Sequence, residues 1–238
     1  MKTRDELIYD LLTLAFAEDV GDGDATTLST IPAEETGRQQ LIVKEEGILA
    51  GVDIARKVFH KFDPSLKMTE YISDGAHVRP GDIAFVVEGP VRSLLQTERI
   101  MLNIMQRMSG VATMTDRYQQ RLAGLKTKVL DTRKTTPGMR LLEKEAVRIG
   151  GGSNHRIGLF DMILIKDNHV DFAGGIPQAV AAAKKWCADN GKNLQIELEV
   201  RNTEEIDLAL AAGVDRIMLD NFTPARTMEA VTLIRAEK

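Results

Sequence analysis

The chain has 238 residues, 43% of them hydrophobic, with a formal net charge of −4. Enough apolar material is present to bury a substantial core, which excludes a disordered chain, and the acidic balance excludes a generally basic nucleic-acid binder. A single cysteine, Cys187, excludes an internal disulfide. The charged start MKTRDELIYD, and the lack of an apolar run of about 18 residues, point to a cytoplasmic protein without a membrane span.

Residues 4–18 carry Leu7, Ile8, Leu11, Leu12, Ala15 and Phe16 at helical spacing, so an opening helix is expected, ended by the glycines of EDVGDGD. The β-like runs RQQLIVKEE, KMTEYI and IAFVVEG, with a helix at VDIARKVFHKF, predict an antiparallel α+β arrangement up to about residue 90. A long helical segment from Val91 to Gly124 follows, with an interruption expected near Ser109 and Gly110. Beyond it, TKVLDT, DMILIK, LQIELEV and DRIMLD alternate with helices expected at 138–148, 175–189, 203–212 and 224–236, which predicts a parallel α/β sheet. The expected domains are 1–110 and 111–238. A closed α/β barrel has about eight strands, and four are legible here, so the sheet is either open or short.

Charge is unevenly distributed. Between Arg99 and His169 stand 13 lysines and arginines against six acids, so this stretch carries +7 and the remainder −11. About half of such charges belong on solvated helix faces, and the surplus suits an anionic small molecule. The four strand candidates also end in charge: Asp131 with Arg133 and Lys134, Lys166, Glu199, and Asp220. In α/β barrels the C-terminal strand ends open onto the active-site face, so these four are expected at one mouth.

Within DTRKTTPGMRLLEKEAV, Arg133 offers a planar fork and Lys134 a point charge, both suited to carboxylate or phosphate, although a solvated loop would look the same. In GGGSNHRIG, Gly150 to Gly152 permit close backbone approach while His155 and Arg156 offer donors to an anion; a flexible connection is the plainer alternative. Lys166 fits either anion binding or a Schiff base. Glu199 and Asp220, ending successive strands, suit Mg²⁺ held through water, or else cap the helices that follow. Other residues carry less. Asp19, Asp22 and Asp24 lack the spacing of a calcium loop and fit a turn; Met101, Met105 and Met108 suit packing; His60 and His77 have no ligand-spaced partner; Cys187 fits a structural role.

The segments AEDVGDGDATT, TERIMLNIMQRMSGVAT, DTRKTTPGMRLLEKEAVRIGGGSNHR, LIKDNH, IELEV and IMLDN together make the chain closely similar to the quinolinate phosphoribosyltransferase family. The resemblance spans nearly the whole chain. It implies an N-terminal α/β sandwich domain followed by an incomplete, TIM-like α/β barrel, and decarboxylating transfer of phosphoribosyl to quinolinate, giving nicotinate mononucleotide for NAD synthesis. It further implies a homodimer in which Arg99 reaches the partner's site, and a quinolinate site drawing on Thr132, Arg133, His155, Arg156 and Lys166. Lys134 and Lys166 would face phosphoribosyl pyrophosphate, with Glu199 and Asp220 near the ribose and Mg²⁺; Lys134, Lys166, Glu199 and Asp220 are the implied catalytic set. The family continues into a further glycine-rich loop for the donor's 5′-phosphate, whereas this chain stops at Lys238, so a truncated barrel of lower stability is expected. The alternatives are a molybdenum-transport-associated subgroup of the same fold, a non-catalytic or truncated anion-binding relative, and, more distantly, a Schiff-base aldolase.

Overall fold

The structure, a computed structural model, describes residues 2–237. It divides into two compact units, residues 1–155 and 156–238.

The first unit opens with α1 (Arg4–Asp19). A reciprocal cap starts it: the Glu6 N–H donates to Thr3 Oγ1 and the Thr3 N–H to Glu6 Oε2. Asp24 caps the short α2 (Ala25–Thr30) by accepting from the N–H groups of Thr26 and Thr27, so the acidic glycine turn serves a helix start. Next come β1 (Thr36–Ile42), β2 (Gly47–Ile48), α3 (Val52–Phe62), β3 (Lys67–Glu70), β4 (His77–Val78) and β5 (Ile83–Pro90). The antiparallel expectation holds: β5 lies between β1 and β3, and β2 pairs with β4.

Helix α4 (Val91–Arg121) runs without a break through Ser109 and Gly110, contrary to the expected interruption. Its mid-helix polar residues have partners. Ser109 Oγ accepts from the Ala50 N–H and donates to the Ala50 carbonyl, and Thr113 Oγ1 accepts from the Ile48 N–H. Met101, Met105 and Met108 are all buried in the core that α4 shares with α3 and β5, which is the packing role their spacing suggested. Helix α5 (Arg140–Ile149) packs against α4.

The second unit contains β6 (Ile163–Ile165), α6 (Asp167–Ala173), α7 (Ile176–Asp189), β7 (Ile196–Val200), α8 (Thr203–Ala212), β8 (Arg216–Leu219) and α9 (Pro224–Ala236). Its sheet is parallel in the order β6-β7-β8. Ile196, Leu198 and Val200 alternate into the core with Ile165, Val180, Ile206 and Ala209, which sends Glu197 and Glu199 to the other face of β7. Cys187 is buried in α7, outside any disulfide.

One expectation changes. The segment TKVLDT is not a strand of this sheet: it belongs to the first unit and makes only an isolated parallel bridge, Leu130 to Ser153, with Leu130 half exposed. The parallel sheet therefore has three strands among the described residues, not four. The compact units divide at 155/156.

Candidate active site

In the first unit the cationic segment follows Leu130. Thr132 and Lys134 are exposed, and Thr132 Oγ1 accepts from the Lys134 N–H at 3.0 Å, closing a tight turn. Arg133 is partly buried, and its Nε has no hydrogen-bond partner among the described residues although it is shielded from solvent. A desolvated donor of this kind is costly unless an acceptor completes it. Arg140, the first residue of α5, braces the turn from behind, donating to Thr135 Oγ1 at 3.1 Å and to the Arg133 carbonyl at 3.5 Å. Glu143 anchors its far end: it accepts from Arg107 Nε at 2.8 Å and from the Thr136 N–H at 3.1 Å. Burial pushes the Glu143 carboxyl upward, but the hydrogen bonds from Thr136 and Arg107 and the guanidinium charge outweigh it, so the net shift is below the ordinary carboxylate value.

Asp131 departs from expectation. It presents no free carboxylate at a mouth; it turns inward onto Lys144, with side chains only 6% and 1% exposed, and also accepts from the His155 N–H at 2.8 Å. The triple glycine departs too. A Cβ on Gly150 would collide with the Ala112 carbonyl of α4, and one on Gly152 would come within 2.8 Å of Thr115 and Val147. Two of these glycines therefore permit close packing of protein on protein, and Gly151 supplies a left-handed turn (φ 86°). His155 ends this run, partly buried. Arg99 lies on the exposed side of α4.

In the second unit, Arg156 donates to the Met162 carbonyl at 3.4 Å across a loop that Asp161 closes, its two carboxylate oxygens accepting from the Ile157 and Gly158 N–H groups at 2.8 Å each. Lys166 follows β6, and its ammonium meets Glu199 Oε2 at 3.1 Å. The register explains the contact: Ile165 pairs with Leu198, so the next residues along, Lys166 and Glu199, stand opposite each other. Glu199 in turn pairs with Met218, and Asp220, two residues farther, falls on the same face. Lys166, Glu199 and Asp220 thus share one face at the C-terminal edge of the sheet, the site expected for strand-end chemistry. Asp220 also accepts from Asn221 Nδ2 at 2.8 Å, and Asn221 adopts a left-handed conformation (φ 54°) at that strand end.

Sequence reasoning identified the cations and the two strand-end acids but missed those that hold them: Arg140, Glu143, Lys144, Asn154 and Asp161. The available signal was position, since Asn154 directly precedes His155 and Arg156, and Glu143 and Lys144 interrupt the apolar face of α5.

Fold and site together define an α/β protein with cationic side chains at loop and strand ends. The family models described as quinolinate phosphoribosyl transferase, N-terminal and C-terminal domain, match residues 24–109 and 111–238. A nicotinate-nucleotide pyrophosphorylase (carboxylating) of rice chloroplasts is 45% identical over 224 residues, covering 90% of this chain and 60% of the relative. A probable enzyme of the same name from Bacillus subtilis is 42% identical, covering 90% of this chain and 73% of the relative. Solved structures of NadC from Streptococcus pyogenes and of the nicotinate-nucleotide pyrophosphorylase from Francisella tularensis superpose with TM-scores of 0.91 each, at 39% and 42% identity, covering 100% and 99% of this chain and 83% and 82% of theirs. The chain belongs to the quinolinate phosphoribosyltransferase family. It spans about three fifths of the length of the plant relatives.

Proposed function

We propose that this chain transfers phosphoribosyl from phosphoribosyl pyrophosphate to quinolinate with decarboxylation, forming nicotinate mononucleotide, CO₂ and pyrophosphate. Beyond family membership, the observation that carries this reading is the buried Arg133 Nε without a partner, a donor that a substrate carboxylate would satisfy. Thr132, Arg133, His155, Arg156 and Lys166 would hold the dicarboxylate, and Lys134 with Lys166 would meet the donor's phosphates. As the bond from the anomeric carbon to pyrophosphate breaks, the ribose gains positive charge that Glu199 and Asp220 favour, while Lys134 and Lys166 stabilise the departing electron pair. The pyridine nitrogen then forms the new bond to that carbon. Its cationic ring accepts the electron pair released when the 2-carboxylate leaves as CO₂, and a proton from water takes the vacated position. Holding both substrates in place supplies much of the rate, and no protein nucleophile is needed.

The donor set available for Mg²⁺ is two carboxylates on one face, Glu199 and Asp220, and no cluster of three or more His, Cys, Asp or Glu converges among the described residues. That set fits an ion that keeps its waters and arrives on substrate phosphates, where it would neutralise the pyrophosphate charge. The proposal includes a cytoplasmic homodimer with exposed Arg99 contributed to the partner. It also includes a functional boundary at 110/111 between the sandwich domain, with its connecting helix, and an incomplete α/β barrel, supported by the antiparallel β1-β5-β3 and parallel β6-β7-β8 sheets. Calorimetric titration tests it: quinolinate should bind at least tenfold more tightly than nicotinate, which lacks the 2-carboxylate. Equal affinities would contradict the reading.

A further inference from the structure

Lys144 is among the most deeply buried side chains of the protein, and its carboxylate partner is the nearly equally buried Asp131. Taking both charges out of water is expensive, and a well-packed apolar pair of similar volume often does at least as well for stability. The contacts around the pair suggest what else it does. Asp131 Oδ1 accepts from Lys144 Nζ and from the His155 N–H at 2.8 Å, while Lys144 Nζ also donates to the His155 carbonyl at 3.1 Å. The two members of one ion pair therefore grip the two main-chain polar groups of a single residue. Asn154, oriented with its amide nitrogen toward the acceptors, donates to Asp131 Oδ2 and to the Lys144 carbonyl, both at 2.9 Å. The base of the same segment is fixed by the Leu130–Ser153 bridge and by the close packing of Gly150 and Gly152.

We propose that Asp131, Lys144 and Asn154 are positioning residues that lock the main chain at His155, and so set where the His155 side chain and the adjoining Arg156 enter the quinolinate site. The ligand named here rests on the proposed function; the locking of the chain does not. Nothing in the arrangement needs these three residues to touch substrate. Asp131 has both carboxylate oxygens engaged by three internal donors, and Lys144 is closed off from solvent. Charged partners hold a peptide more tightly than neutral ones, because both hydrogen bonds are charge-assisted and both lie in a shielded interior.

The test is the double variant Asp131→Asn/Lys144→Met, which removes both charges together and leaves neither buried alone. Hydrogen exchange of residues 150–156 should accelerate at least tenfold, with α4 and the rest of α5 unchanged. Quinolinate should bind at least tenfold more weakly, while affinity for phosphoribosyl pyrophosphate stays within twofold, a split that general loosening of the fold would not produce. The conservative Asn154→Asp should weaken the same grip, by placing a second carboxylate beside Asp131, and should move exchange in the same direction. Unchanged exchange in 150–156 overturns the proposal, as does faster exchange with unaltered quinolinate affinity. A double variant that cannot fold also overturns it, since the pair would then serve stability. Were the unaltered chain to bind no quinolinate, the proposed function would fall, and accelerated exchange would still establish the lock.

Discussion

In the proposed function, Arg133 is the residue on which substrate recognition turns. Its Nε lies shielded with no acceptor among the described residues, and its main-chain carbonyl is held by Arg140. Arg133→Ala should weaken quinolinate binding by about ten- to a hundredfold, the loss of roughly 1.5–3 kcal/mol expected for a charged hydrogen-bonded pair; an unaltered titration isotherm would remove Arg133 from the site. The placing of Lys166 beside Glu199 was legible in the sequence because both end strands of one parallel sheet. Asp131 was misread for the same reason: it too follows a strand-like run, and only the fold shows that Lys144, 13 residues away, turns it inward.

At the scale of elements, the turn bearing Arg133 and Lys134 is tied to α4 and α5 through Glu143. Because the Glu143 carboxyl sits below its ordinary value in the folded chain, its contribution is present above the unfolded value of about 4.3 and is lost as pH falls through the folded one. Glu143→Gln should therefore be less stable near neutrality, with a shallower fall in stability on acidification below about pH 5 in denaturant titrations. An acid limb as steep as the parent's would show that another carboxylate dominates. Gly150→Ala should cost about 1–3 kcal/mol by forcing α4 from the glycine run, lowering the thermal midpoint by about 2–4 °C per kcal/mol. An unshifted midpoint would mean that the contact relaxes freely. Helix positions such as 52–62, 203–212 and 224–236 were legible because their apolar spacing and start signals agree. The interruption expected in α4 was not borne out, since the side chains of Ser109 and Thr113 bond to residues 48–50 and Gly110 meets nothing that would break the helix. The glycine run hid its role because a Gly needed for packing and one needed for a ligand look alike in sequence.

For the whole molecule, family and α/β class were legible from motifs that span both halves of the chain, whereas the division at 155/156 was not, because it follows the density of contacts, which no motif marks. The proposed dimer should sediment at about twice the 26.3 kDa chain mass, and Arg99→Ala should lower turnover without altering that mass if Arg99 acts across the interface; a monomer that turns over at full rate would refute the shared site. The central claim is tested most directly by supplying the purified chain with quinolinate, phosphoribosyl pyrophosphate and Mg²⁺ and measuring nicotinate mononucleotide and CO₂ together. The account predicts that the two products form in equal amounts and that neither forms when Mg²⁺ is chelated. Quinolinate bound but never converted would contradict it and leave an anion-binding member of the family.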